Sequence, residues 1–179
     1  CKVVYGTEPE CSINREVQGV NLGAAALKWF FLREGPLTIG SAPVGAFCYT
    51  REGLEAPDVQ IHFASGGTLY NNAGKIQAMK EPAITAVVNQ SRPESRGSIH
   101  VKSTNIADAP AISANYLSSP LDQDTLLKGM RILLDVFQQS GLQPYLKQRL
   151  SPSENVDVNS DEDLMTYIRN EASTVYHPT

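Results

Sequence analysis

Cysteine, histidine and tryptophan are all scarce in this chain, with three, three and one in 179 residues, and each shortage closes off a class of function. Cys1, Cys11 and Cys48 form no Cys-x-x-Cys pair, and no histidine stands at metal-ligand spacing, so neither a disulfide framework nor a zinc site is expected. The thiols read as free, and Cys48, in the apolar run Gly45-Ala46-Phe47-Cys48-Tyr49, is expected to be a small buried hydrophobe. Nothing in this usage calls for an oxidising compartment, which favours a cytoplasmic setting. A basic face is lacking too: Lys and Arg number 15 against 19 Asp and Glu, for a net charge of -4, and the densest basic group is Lys147 to Arg149. A nucleic-acid partner is therefore not expected. The longest apolar window, Ala24 to Leu32, is broken by Lys28 and falls short of the roughly 20 residues that a membrane span requires. Two catalytic signatures are also missing. No Gly-x-Ser-x-Gly elbow marks a hydrolase nucleophile, and no Gly-x-Gly-x-x-Gly turn marks a dinucleotide cradle.

What is present suits one α+β domain, a largely antiparallel sheet backed by helices, spanning residues 1–179. A chain of this length buries roughly two-thirds of its unfolded surface without metals or disulfides. Residues 1–18 read as a strand followed by a loop. Apolar residues then recur at helical spacing from Val20 to Arg33, and Gly35-Pro36 supplies the expected left-handed cap and stop. Strand-like runs follow at Gly45 to Thr50, Val59 to Ala64, Ala83 to Asn89, Gly97 to Lys102 and Ala111 to Asn115. Turn-formers separate them, among them Asn71-Asn72-Ala73-Gly74. Strands in succession without intervening helices favour antiparallel pairing. Val59, Ile61 and Phe63 should share one face, and the alternation of Ser98-Ile99-His100-Val101-Lys102 puts Ile99 and Val101 toward a core, with His100 opposite. The second half is helical: Leu126, Leu127, Met130, Leu133, Leu134 and Phe137 form a stripe from Asp124 to Ser140. Ser160-Asp161-Glu162-Asp163 then opens another helix whose inward residues are Leu164, Met165 and Ile168. Those acids cap the helix and do not match a calcium loop.

Imidazole exchanges protons near neutral pH, which makes the histidines the first candidates for chemistry. His62 and His100 lie inside strand-like runs, where a hydrogen-bonded structural histidine is the ordinary outcome. His177 follows a helix and a short extended run, with Tyr176 before it and Pro178 after it.

Four stretches in order carry a family resemblance. Gly35-Pro36-Leu37 with Gly45-Ala46-Phe47 forms the first, and Ala56-Pro57-Asp58-Val59-Gln60-Ile61-His62-Phe63 the second. Arg92-Pro93-Glu94-Ser95-Arg96-Gly97-Ser98-Ile99, followed by Pro110-Ala111-Ile112 and Asn115-Tyr116-Leu117, is the third, and Tyr176-His177-Pro178 the last. This set resembles the glucose-methanol-choline family of flavin-dependent alcohol oxidoreductases, especially its choline dehydrogenase-like branch, over nearly the whole chain.

The resemblance implies the family's substrate-binding domain and FAD as the cofactor of the parent enzyme. It makes His177 the catalytic histidine, accepting the hydroxyl proton of a small-molecule alcohol as hydride passes to the flavin, with Tyr176 and His62 lining the substrate pocket. Arg96 and Asn115 are expected to be structural. The family's nucleotide-binding segment and second active-site residue have no counterpart here. A start at Cys1 and a stop at Thr179 set the expectation of a piece of a longer enzyme, inactive alone, binding no FAD by itself, and prone to self-association without its FAD-binding portion. A self-contained, non-enzymatic module binding a small ligand or a protein is the alternative.

Overall fold

The computed structural model describes residues 1–70 and 76–175, so the turn at Asn71 to Gly74, like Tyr176 and His177, lies outside the described residues. A five-stranded sheet forms the centre. In chain order its strands are β1 (Lys2–Thr7), β2 (Val44–Cys48), β3 (Val59–Ala64), β6 (Ala83–Gln90) and β9 (Leu146–Ser151), and in space they run β2-β3-β6-β1-β9. Every pairing is antiparallel. Two small antiparallel ladders flank it, β4 (Thr68–Tyr70) with β5 (Ile76–Ala78), and β7 (Ser98–His100) with β8 (Ala111–Ser113). The helices are α1 (Gly19–Leu32), α2 (Pro120–Gln138) and α3 (Asp161–Glu171). Among the described residues no helix is long and apolar enough to cross a membrane.

Period-two alternation decides which face of the sheet is dry. Val3, Tyr5, Val59, Ile61, Ile84, Ala86 and Val88 point to one side, where they meet Leu126, Met130, Leu133, Leu134 and Phe137 of α2 and Leu164 and Ile168 of α3. Phe137 stacks on Tyr5 at 4.7 Å and on Phe63 at 6.0 Å between ring centroids. Gly129 permits the close approach of α2, since a Cβ there would sit 3.0 Å from Val88 Cγ2 and 3.2 Å from Val59 Cγ1. α3 is tied to the sheet by Tyr167, whose hydroxyl donates to Lys2 O at 2.8 Å and lies 2.8 Å from Ser151 Oγ. Burial pushes that phenol up to about 12.

α3 begins as the sequence suggests, with Ser160 accepting from Asp163 N. α2 starts earlier than the apolar stripe, at Ser119-Pro120, where the serine accepts from Leu121 N and the proline occupies the first turn. Three expectations need correction. The left-handed residue ending α1 is Arg33, φ 57°, not Gly35; its N–H donates to Trp29 O at 3.0 Å, and its guanidinium lies 4.5 Å over the Trp29 ring. Ile99 and Val101 face no core: they are 65% and 85% exposed, because the β7–β8 ladder stands off the body of the chain. Cys48 is half-buried, at the edge of the core. Three strands were not anticipated, and β9 had registered only as the basic group Lys147 to Arg149. α1 carries its apolar residues all round, yet only Ala25 is buried, while Phe31 stays 73% exposed.

Phe137 is fully buried at the point where sheet and helix meet. Phe137→Ala is expected to lower unfolding free energy by about 3–5 kcal/mol. Chemical denaturation of both proteins checks this, with an unchanged slope showing that the fold is retained.

Candidate functional site

The other face of the sheet is where chemistry can be done. Residues directly opposite in an antiparallel ladder share a face, so the register lays out two rows. Phe47 pairs with Gln60 and Gln60 with Asn89; Gly45 pairs with His62, His62 with Val87, and Val87 with Lys2. Gln60, His62, Val87 and Asn89 are all half-buried. Further along the same strands this face closes over. Val4 and Thr85 are buried, and the loop after β1 is pinned there by Asn14, which donates to Gly67 O and Met79 O at 2.9 and 2.8 Å and accepts from Gly67 N at 2.6 Å. What stays accessible is the end bearing Phe47, Gln60, His62 and Asn89. Gly45 lets β2 lie close to β3, because a Cβ there would press within 3.2 Å of Ile61 O.

A cavity of about 420 Å³ lies at the Gln90 end of β6, on the side of the sheet that faces α2. Val88, Asn89 and Gln90 line it from the sheet, Asp122 and Leu126 from α2, Ser95, Arg96, Gly97 and Tyr116 from the loops before α2, and residues 172–175 from the segment after α3. Those loops hang from the start of α2. Asp122, 1% exposed, accepts hydrogen bonds from Gln90 Nε2 at 2.9 Å, Glu94 N at 2.8 Å and Ser95 N at 2.8 Å. Ser119 N donates to Ser95 Oγ at 3.0 Å, and Asn115, in the left-handed region at φ 52°, donates through Nδ2 to Arg96 O at 2.8 Å. Gly97 completes the unit: a Cβ there would lie 2.2 Å from Ser113 O, so only glycine lets the two backbones pass. Burial opposes ionisation of Asp122, but hydrogen bonds from Ser95, Glu94 and Gln90 outweigh it and hold the carboxyl below the usual range.

Of the candidates from sequence, His62 stands at the centre of the open face. His100 lies on β7, exposed and outside the sheet. Val175 is the last described residue before Tyr176 and His177, and it lines the cavity beside Asn89. Arg96 donates to Pro93 O and Ser95 O, and Asn115 binds the same loop, so both are structural. Asp122 and Asn89 had no place in the sequence reading. The signal for Asp122 was local, a Ser-Pro-x-Asp helix start at Ser119 to Asp122; Asn89 becomes visible only once strand register is known. Among the described residues no group of three or more His, Cys, Asp or Glu could hold a metal.

The sheet is thus packed by helices on one side and carries a polar row on the other. Residues 93–179 match the family model described as GMC oxidoreductase. The chain is 34% identical over 175 residues to the oxygen-dependent choline dehydrogenase of Pseudomonas aeruginosa (strain UCBPP-PA14), covering 98% of this chain and 30% of that protein. It is 31% identical over 177 residues to the enzyme of the same name from Xanthomonas euvesicatoria pv. vesicatoria (strain 85-10), covering 99% and 31%. A formate oxidase structure from Aspergillus oryzae RIB40 has the same fold, with a TM-score of 0.84 at 19% identity, covering 99% of this chain and 35% of that one. The chain thus resembles GMC oxidoreductases over nearly its whole length and spans about 30% of the length of the curated relatives it matches.

A carboxyl whose folded value lies below its ordinary 3.8 stabilises the fold above that value, and the contribution is lost as pH falls through the lower folded one. Asp122→Asn keeps one acceptor and places an amide donor against the backbone N–H groups. It is expected to cost about 1–3 kcal/mol at neutral pH, with the difference from the native chain shrinking as pH falls below 3.8 and through the lower folded value. Denaturation midpoints measured from pH 7 to pH 2 check both parts.

Proposed function

We propose that this chain is the substrate-binding side of an FAD-dependent oxidoreductase that oxidises the CH–OH group of a small alcohol. The observation that carries this reading is the open face of the sheet. It sets His62 and Gln60 in one polar row with Asn89, and Asn89 also borders a cavity lined by residues 172–175, which lead in sequence directly to Tyr176 and His177. The identity to the choline dehydrogenases over the whole of that arrangement supports it.

In this reading His177 takes the proton of the substrate hydroxyl, because negative charge builds on that oxygen as the carbinol carbon is oxidised and an imidazole accepts a proton near its own pKa. Tyr176 and His62 line the pocket and orient the alcohol. FAD, when bound, supplies the hydride acceptor. None of the described helix starts follows a strand through a glycine-rich turn of the kind that cradles a pyrophosphate, so the flavin is held by residues outside this chain. That flavin-holding portion is also the proposed cover for α1. The relatives are about three times as long as this chain, and a helix that carries apolar residues round its circumference with only one of them buried calls for a partner surface.

The test is anaerobic mixing of the flavin-loaded protein with a primary alcohol, following flavin absorbance near roughly 450 nm. Bleaching is expected, and His177→Ala should slow it by about 10²–10⁴-fold with flavin still bound. An unchanged rate in that variant would assign the proton transfer elsewhere.

A further inference from the structure

The two edges of the central sheet are built unlike each other. At one end β9 carries Lys147, Gln148 and Arg149, and the Lys147 ammonium pairs with Glu8 at 3.1 Å. Charged side chains of this kind guard a free edge against pairing with another strand. At the other end β2 reads Val44-Gly45-Ala46-Phe47-Cys48, with no charge and no proline. An uninterrupted apolar run is the composition of a strand covered on both faces and paired on both sides. Here it has neither. Register places Val44, Ala46 and Cys48 in the row of Phe63, Ile61 and Val59, which packs under α2. Val44 is nevertheless 61% exposed and Ala46 is exposed with it, while on the opposite face Phe47 is 62% exposed. Every second residue of an antiparallel strand turns its N–H and C=O away from its one neighbour, and among the described residues no strand lies there to receive them.

We infer that the free edge of β2 is a strand-addition site, occupied by an extended segment of the longer protein of which this chain is one part, so that β2 becomes an interior strand of a larger sheet. The curated relatives are about three times as long as this chain and match 98–99% of it, so most of such a protein lies outside these five strands. A second copy of the chain is the poorer occupant. It would pair the edge but bring a β2 as bare as the first, leaving the surface over Val44 and Ala46 without the cover that α2 fails to give it. The added segment is held through its backbone, and alternation sets its composition: side chains on the α2 side continue the row of Val44 and Ala46 and are apolar. The inference rests on the reading of the chain as part of a longer protein, and on no step of the alcohol oxidation.

Deuterium exchange on peptides spanning Val44–Cys48 compares the full-length flavin-loaded protein with this chain alone at low concentration. In the chain alone about half of those amides should exchange as open groups. In the full-length protein they should slow by about 10²-fold or more. Ala46→Lys gives this edge the guard that β9 carries. It should leave the denaturation midpoint of the chain alone unchanged, because Ala46 is exposed there, and lower the melting temperature of the full-length protein by roughly 2–4 °C or more. If that variant fails to fold, deuterium uptake of the unaltered pair decides. Equal uptake in both proteins, or an equal effect of Ala46→Lys on both, would overturn the inference. Protection of β2 in the chain alone that grows with concentration alongside a doubled mass would also overturn it, by making the occupant a second copy. Neither readout needs turnover. A protected β2 without flavin bleaching by an alcohol would sink the redox reading alone, and bleaching with an open β2 edge would sink the strand addition alone.

Discussion

The close approach of α2 to the sheet at Gly129 is the constraint on which the rest of the molecule depends. With hydrogen in place of a side chain, the helix lies against Val59 and Val88. The apolar stripe from Leu126 to Phe137 can then fill the space over β1, β3 and β6. That contact dedicates one face of the sheet to the core. A one-residue slip of β3 would turn Gln60 and His62 into that core and Ile61 out of it, so the burial that holds the fold together also fixes which side carries the polar row. The start of the same helix does a second job. Asp122 and Ser119 fasten residues 93–97 and 115–119, and with them one wall of the cavity. Stability and site geometry are thus coupled through one helix: its middle presses on the sheet, and its first turn holds the loop.

Apolar surface elsewhere is left without a cover. α1, the outer strand β2 with Val44 and Phe47, and the β7–β8 ladder with Ile99 and Ile112 are all substantially exposed. Of these, β2 is the edge strand of the sheet, opposite β9. Exposure on this scale exceeds what a monomeric soluble domain ordinarily shows. It agrees with a chain that spans about 30% of its curated relatives and belongs to a larger fold.

How much of this was legible in the sequence depended on whether the signal was local. The α2 stripe, the Ser160 cap, and the sharing of one face by Val59 and Ile61 all follow from spacing between near neighbours, and all are present. Ile99 and Val101 show the limit. Alternation says that two faces differ but not that anything packs against either, and here nothing does. β9 was hidden because Leu146 to Ser151 is charged on its outer side and owes its strand conformation to pairing with β1, far away in sequence. His62 was found through a motif and a strand. Asn89 was missed because its place opposite Gln60 depends on pairing between segments that lie apart in the chain. Asp122 looked like an ordinary helix-start acid, and only the loop it binds reveals its second role.

The structure of the flavin-loaded protein, with the position of the isoalloxazine ring relative to this sheet, is the decisive observation. The ring should lie over the face bearing Gln60, His62 and Val87, on the side of the sheet away from α2. A flavin seated against α2 and α3, or remote from β3 and β6, would contradict the assignment of that open face as the reaction side.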